Sequence, residues 1–185
     1  SATLGGDVTS TGGSTVLANG VVISETSINA NPTIGGTDIP NAGFSSGTGT
    51  FTVASGTLNP NISYSYAAYA TNSQGTGYGN VETFYTLANI PNVPVLDNET
   101  LTTLDLHLDF SGNPAATEYA IRVVSGANTF YLQSDNTLDL SPYWNTNAIW
   151  PTSITVIGLT SNTSYTFDVK ARNGANVETD FSSDA

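Results

Sequence analysis

The chain has 185 residues, 38% of them hydrophobic and 10% aromatic, with 15 acidic residues against three basic ones, Arg122, Lys170 and Arg172. The net charge of −12 excludes a nucleic-acid binder and a ligand for anionic membrane surfaces, because each needs a basic face. The absence of cysteine excludes disulfides, redox motifs and thiolate metal sites.

The length suits one large domain or two of roughly 100 residues. Apolar residues fall in short alternating runs bounded by Gly, Ser, Thr and Asn rather than at helical spacing, so an all-β class is expected. No segment is apolar enough to span a bilayer, and neither a signal peptide nor any Met is present. The expectation is a processed product or an excerpt of a longer protein whose targeting signal lies outside it. Its acidic surface would keep a long chain soluble and can attract Ca²⁺.

In chain order, the first half carries Ala2-Thr-Leu-Gly-Gly-Asp-Val8, Gly20-Val-Val-Ile23 and Gly47-Thr-Gly-Thr-Phe-Thr-Val53. Next comes Leu58-Asn-Pro-Asn-Ile-Ser-Tyr64-Ser-Tyr66-Ala-Ala68-Tyr-Ala70-Thr-Asn72. Gly75-Thr-Gly-Tyr-Gly79 reads as a turn between strands. A strand then ends at Phe84-Tyr-Thr86, and Leu87 to Pro94 forms a junction that Pro91 and Pro94 make extended and stiff. Strand candidates in the second half are Thr103–Phe110, Glu118–Val124, Thr129–Gln133, Ser153–Ile157 and Ser164–Asn173.

The last of these repeats the first half. Leu159-Thr-Ser-Asn-Thr-Ser-Tyr165-Thr-Phe167-Asp-Val169-Lys-Ala171-Arg-Asn173 matches the segment from Leu58 at a constant shift of 101. Leu, Tyr, an aromatic, a small apolar residue, Ala and Asn correspond in turn. Period-two alternation puts Tyr64, Tyr66, Ala68 and Ala70 on one strand face, and Tyr165, Phe167, Val169 and Ala171 likewise. Thr166, Asp168, Lys170 and Arg172 take the opposite face, which is expected to be wet.

This doubled motif resembles strand F of fibronectin type III domains, with Tyr64 and Tyr165 in the place of the tyrosine corner. The resemblance implies an all-β fold of two tandem fibronectin type III or immunoglobulin-like β-sandwiches, spanning 1–87 and 92–185. The motifs of the first half, with Ala68-Tyr-Ala-Thr-Asn-Ser-Gln-Gly-Thr-Gly-Tyr-Gly-Asn80, also resemble Gly- and Thr-rich sandwich repeats of large bacterial surface and secreted proteins. In that frame Ala2-Thr-Leu-Gly-Gly would be strand B, so the first sandwich would lack its first strand. Asp180–Ala185 would stop early in strand G. An open edge of this kind invites pairing with another chain, including fibre formation by strand exchange.

No catalytic residue is expected. His107 is the only histidine, and it lies in Leu104-Asp-Leu-His-Leu-Asp-Phe110 with Asp105 and Asp109 on its face. Same-face neighbours stand about 6.6–7 Å apart, too far for compact metal coordination. No cofactor or metal is therefore expected. The candidate ligand-binding residues are Tyr143, Trp144 and Trp150, in an irregular connection that holds both tryptophans of the chain. Exposed, they could stack on a glycan or anchor a protein; buried, they would plug the sandwich. Asn61, Asn98 and Asn162 head glycosylation-type triplets, two of them within the repeated corner. The expected role is that of a non-catalytic extracellular or cell-surface spacer, partnered by neighbouring domains of the same longer chain. The alternatives are a glycan- or protein-binding module using Tyr143, Trp144 and Trp150, an accessory region of a secreted polysaccharide-degrading enzyme, and a fibre subunit linked by strand exchange.

Overall fold

Runs of Val, Ile, Thr, Tyr and Phe, interrupted by Gly and Asn at positive φ, set a strand-and-turn pattern throughout the chain. A computed structural model describes residues 1–36 and 39–185, residues 39–45 by backbone alone. Among the described residues there is no helix. The chain divides into a first unit, Ser1–Thr86, and a second, Leu87–Ala185.

The first unit contains β1 (Thr3–Val8), β2 (Ala18–Glu25), β3 (Ile39–Ser45), β4 (Gly49–Ala54), β5 (Ser63–Asn72), β6 (Gly75–Tyr78) and β7 (Glu82–Tyr85). β1 pairs antiparallel with β4. The second sheet runs β3-β2-β5-β6, and β7 continues along β5 beyond β6. Leu4, Val21, Ile23 and Tyr64 form the core between the sheets, flanked by Phe51, Val53, Leu58, Ile62, Tyr66 and Phe84. On the outer side of β2 and β5, Val22, Ala67 and Tyr69 form a second buried cluster. Both central strands are thus buried on both faces. The layers come together at Gly6, where a Cβ would lie 2.6 Å from Cβ of Ala68. No larger residue fits there without a shift of backbone.

The Gly75–Gly79 stretch differs from its expected role. Gly75–Tyr78 is strand β6, and the turn lies one step earlier, at Ser73 and Gln74. The Asn72 side chain explains the shift, because its Oδ1 accepts from the N–H groups of Gln74 and Gly75 and closes a two-residue hairpin.

The second unit contains β8 (Val95–Asp97), β9 (Thr103–His107), β10 (Glu118–Ser125), β11 (Asn128–Leu132), β12 (Leu138–Asp139), β13 (Asn145–Thr146), β14 (Ser153–Ile157) and β15 (Thr166–Arg172). One sheet runs β14-β9-β8. The other runs β12-β11-β10, with β13 and β15 also paired to β10. Residues 178–185 complete it: Thr179, Ser182 and Ala185 donate in turn to the carbonyls of Ala171, Val169 and Phe167. The core gathers Leu104, Leu106, Tyr119, Ile121, Val123, Leu132, Trp150, Ile154, Val156, Phe167 and Val169. Alternation along β9, β14 and β15 feeds this single interior. The run expected to reach Phe110 leaves regular pairing after His107, and the Phe110 ring turns onto Tyr119 at 4.4 Å.

Phe167, fully buried, sits at the middle of the second core. Phe167→Ala should cost roughly 3–5 kcal/mol in urea unfolding, while NMR shifts of the first unit stay unchanged.

Candidate functional site

The aromatic connection separates into a plug and a cover. Between β12 and β14 only β13 is regular, so the core there needs a large side chain to close it. Trp150 fills that place at 1% exposure, and its Nε1–H donates to the Tyr119 carbonyl at 2.9 Å. A buried indole requires such an acceptor. Tyr143 packs edge-on against it, with centroids 5.6 Å apart, and its hydroxyl accepts from Asn145 at 3.0 Å. Trp150 is therefore core and presents no surface to a ligand, which removes the strongest anchor of the binding triplet expected from the sequence.

Trp144 faces the outer side of β10 and β15, where all three basic residues of the chain meet. The Arg172 guanidinium lies 4.5 Å from the Trp144 ring centre and Lys170 Nζ 5.2 Å from it. Lys170 also lies 4.8 Å from the ring of Phe181, and Arg122 3.9 Å from it. Each cation has an acidic partner as well: Arg122 with Asp168, Lys170 with Glu178, Arg172 with Glu118. The face expected to be wet is instead roofed by Phe181 and Trp144, and the stems of its long side chains lie beneath aromatic rings. Sequence periodicity missed this because neither ring belongs to the strand it covers.

Asp168 is the buried member, at 3% exposure. Arg122 Nε donates to its two oxygens at 2.9 and 3.1 Å, and Nη2 donates as well. The partners respond unequally. Arg122 is raised by its bond to Asp168. Asp168 is also raised, because loss of water outweighs the attraction of Arg122 and the neighbouring Asp184 carboxylate adds repulsion. A raised folded value means that this group favours folding below its unfolded pKa. That contribution disappears as pH rises through the folded value. Asp105, Asp109 and Asp135 behave oppositely. Hydrogen bonds from Thr155, Ser111 and Thr137 lead in lowering them, so their contribution is present at neutral pH and lost as pH falls through the lowered values.

The two repeated tyrosines have matching geometry. Tyr64 OH accepts from the Asn59 N–H and Tyr165 OH from the Thr160 N–H, each at 3.1 Å and each five residues upstream. Asn61 and Asn162, at the same place in the repeat, both adopt positive φ, 47° and 54°. Burial comes first, with Glu25 adding, in raising the Tyr64 phenol above its usual range.

The Asp105, His107 and Asp109 face is dispersed. His107 Nε2 meets Asp97 at 3.0 Å, Asp105 accepts from Thr155 and Asn98, and Asp109 accepts from Ser111 and Asn92. Among the described residues no group of three or more His, Cys, Asp or Glu side chains could hold a metal ion.

No protein-family model matches the sequence, and no curated protein matches it significantly. Among solved structures it is similar to the FN1–FN3 domains of chicken CNTN1, at 14% identity and a TM-score of 0.39, covering 91% of this chain and 54% of that one. It is also similar to a two-domain fibronectin type III segment of chicken tenascin, at 10% identity and a TM-score of 0.48, covering 91% and 81%. The chain thus spans about half the length of the CNTN1 structure.

By strand order and core, the protein is an all-β chain of two separately cored units. The units are tandem fibronectin type III-like β-sandwiches, each carrying the tyrosine-corner hydrogen bond.

Removing the Tyr64 hydroxyl leaves the Asn59 N–H without its acceptor. Tyr64→Phe is expected to destabilise the first unit by about 1 kcal/mol in urea unfolding. Tyr165→Phe should cost the second unit less, because water reaches that corner. Asp184→Asn removes a neighbouring negative charge and should lower the Asp168 midpoint in a carboxyl ¹³C NMR titration; an upward shift would contradict this electrostatic account.

Proposed function

We propose that this chain is a non-catalytic spacer segment of a large extracellular or cell-surface bacterial protein of adhesin type. The observation that carries this reading is the self-sufficiency of each unit. Ser1–Thr86 and Leu87–Ala185 each bury their own core, and each fastens its strand F through a tyrosine hydroxyl. A spacer needs modules that hold their shape without help from a ligand, and it needs a surface that does not stick. The three cations are tied into intramolecular pairs, so the remaining charge is acidic and mutually repelling. Recognition of a glycan or protein by Tyr143, Trp144 and Trp150 is the weaker reading, since Trp150 is enclosed and Trp144 is occupied by Arg172 and Lys170.

Stretching a single molecule by its two ends tests the spacer reading. Two separate unfolding events are expected, each lengthening the chain by the unit's extended contour of about 31 or 36 nm, at ~3.6 Å per residue, less its folded extent. One cooperative event, or extension without a resisting peak, would overturn it.

A further inference from the structure

Residues 178–185 complete the second sheet in an irregular way. Thr179, Ser182 and Ala185 donate their N–H groups to the carbonyls of Ala171, Val169 and Phe167. The donors are three residues apart and the acceptors two, so each step leaves an extra residue outside a regular antiparallel ladder. The return bonds differ as well. Ala171 N–H donates to Thr179 Oγ1 at 3.0 Å, and Val169 N–H to Ser182 Oγ at 3.1 Å. Two side-chain hydroxyls thus accept where main-chain carbonyls normally do, and they donate onward to the carbonyls of Asp180 and Ser183. Such a segment can lift from β15 by local opening while the continuous β10–β15 pair stays intact.

The residues between these contacts carry the cover. Phe181 lies against the Arg122 guanidinium, and Asp184 brings its carboxyl group within hydrogen-bonding reach of Asp168. Asp168, 3% exposed, already accepts from both Nε and Nη2 of Arg122. The other charged or titratable groups here are Tyr131 of β11, which faces Arg122, and Lys170 of β15, which pairs with Glu178. One guanidinium therefore serves two carboxyl groups, and closing the segment over them leaves an excess of negative charge. Closure also keeps water from Asp168. Both effects oppose its charged form, desolvation more strongly than repulsion. The closed segment thus holds a proton more tightly than the open one. Acid favours closure, and that contribution is lost as pH rises through the closed-state value.

We propose that residues 178–185 form a proton-controlled strap, closed over Arg122 and Asp168 in acid and opening more often than the sheet beneath it at neutral and higher pH. The grip comes from Thr179 and Ser182, and the pH response from Asp184 facing Asp168. Phe181 leaves with the strap, so opening returns water to the Arg122–Asp168 pair. The inference uses contacts within the second unit alone and does not rest on the spacer reading.

Amide hydrogen exchange on the whole chain tests the strap, with rates corrected for the intrinsic pH dependence of exchange. From about pH 7.5 to about pH 5, protection of the Thr179 and Ser182 N–H groups should rise by about threefold or more. Protection of Ile121 and Val123 in β10 should not follow it. Asp184→Asn removes the second carboxylate and should leave Thr179 and Ser182 well protected at both pH values. Ser182→Ala removes one hydroxyl and should lower the protection of Thr179 at both, with the rise on acidification retained. Four results would overturn the proposal: protection of Thr179 and Ser182 that does not change with pH, an equal rise at Ile121 and Val123, a pH response that survives Asp184→Asn, or no loss of protection in Ser182→Ala.

Discussion

Each unit depends on one antiparallel pair, β2 with β5 in the first and β10 with β15 in the second. These pairs are long and in continuous register, from Ala18 opposite Thr71 to Glu25 opposite Tyr64, and from Glu118 opposite Arg172 to Val124 opposite Thr166. They lie inside their sheets, so further strands can add on either side, and each presents one face to the core. Everything else is placed relative to them. The tyrosine at or just before the start of β5 or β15 ties the preceding corner down, and the other sheet closes over the alternate side chains. Burial of those side chains, at roughly 25 cal/mol per Å² of apolar surface, is the main stabilising contribution. The corner hydrogen bond adds about 1 kcal/mol and mostly fixes register.

The opposite face of the central pair is handled differently in the two units. The first covers it with apolar residues, Val22, Ala67 and Tyr69. The second covers it with cations beneath aromatic rings, and each cation holds a carboxylate. This polar roof does not equal the core in energy, since cation–π contacts contribute about 0.5–1 kcal/mol each at exposed sites. What it does is attach the loop bearing Trp144 and the final segment bearing Phe181 to a strand that neither belongs to. Asp168 is the strained member, desolvated and close to Asp184.

Much of the fold was legible because it is written in local alternation. The repeat from Leu58 and from Leu159 located β5 and β15, and the spacing of Leu104, Leu106 and Leu108 located β9. The resemblance drawn from these motifs gave the tandem β-sandwich class. What escaped was set by contacts distant in sequence. β8 hid in a proline-containing stretch, because three residues, Val95–Asp97, are too few to show a period. The roof over Asp168 escaped because Phe181 and Trp144 reach it from other segments. The candidate site was legible as a cluster of aromatics but not as a division of labour. Exposure alone separates Trp150, which closes the core, from Trp144, which lies over cations, and sequence does not encode exposure in an irregular loop.

The central claim is that both units are built on the same inner antiparallel pair. Residue-resolved amide hydrogen exchange on the whole chain tests it directly. The account predicts slow exchange at Val22, Ile23, Ala67, Ile121, Val123 and Val169. Asp105 should exchange slowly beside β8, while the exposed Thr9, Thr11 and Gly13, which lie outside every strand, exchange orders of magnitude faster than Val22 and Ala67. Exchange at the β2–β5 and β10–β15 positions as fast as at Thr9, Thr11 and Gly13 would contradict the account.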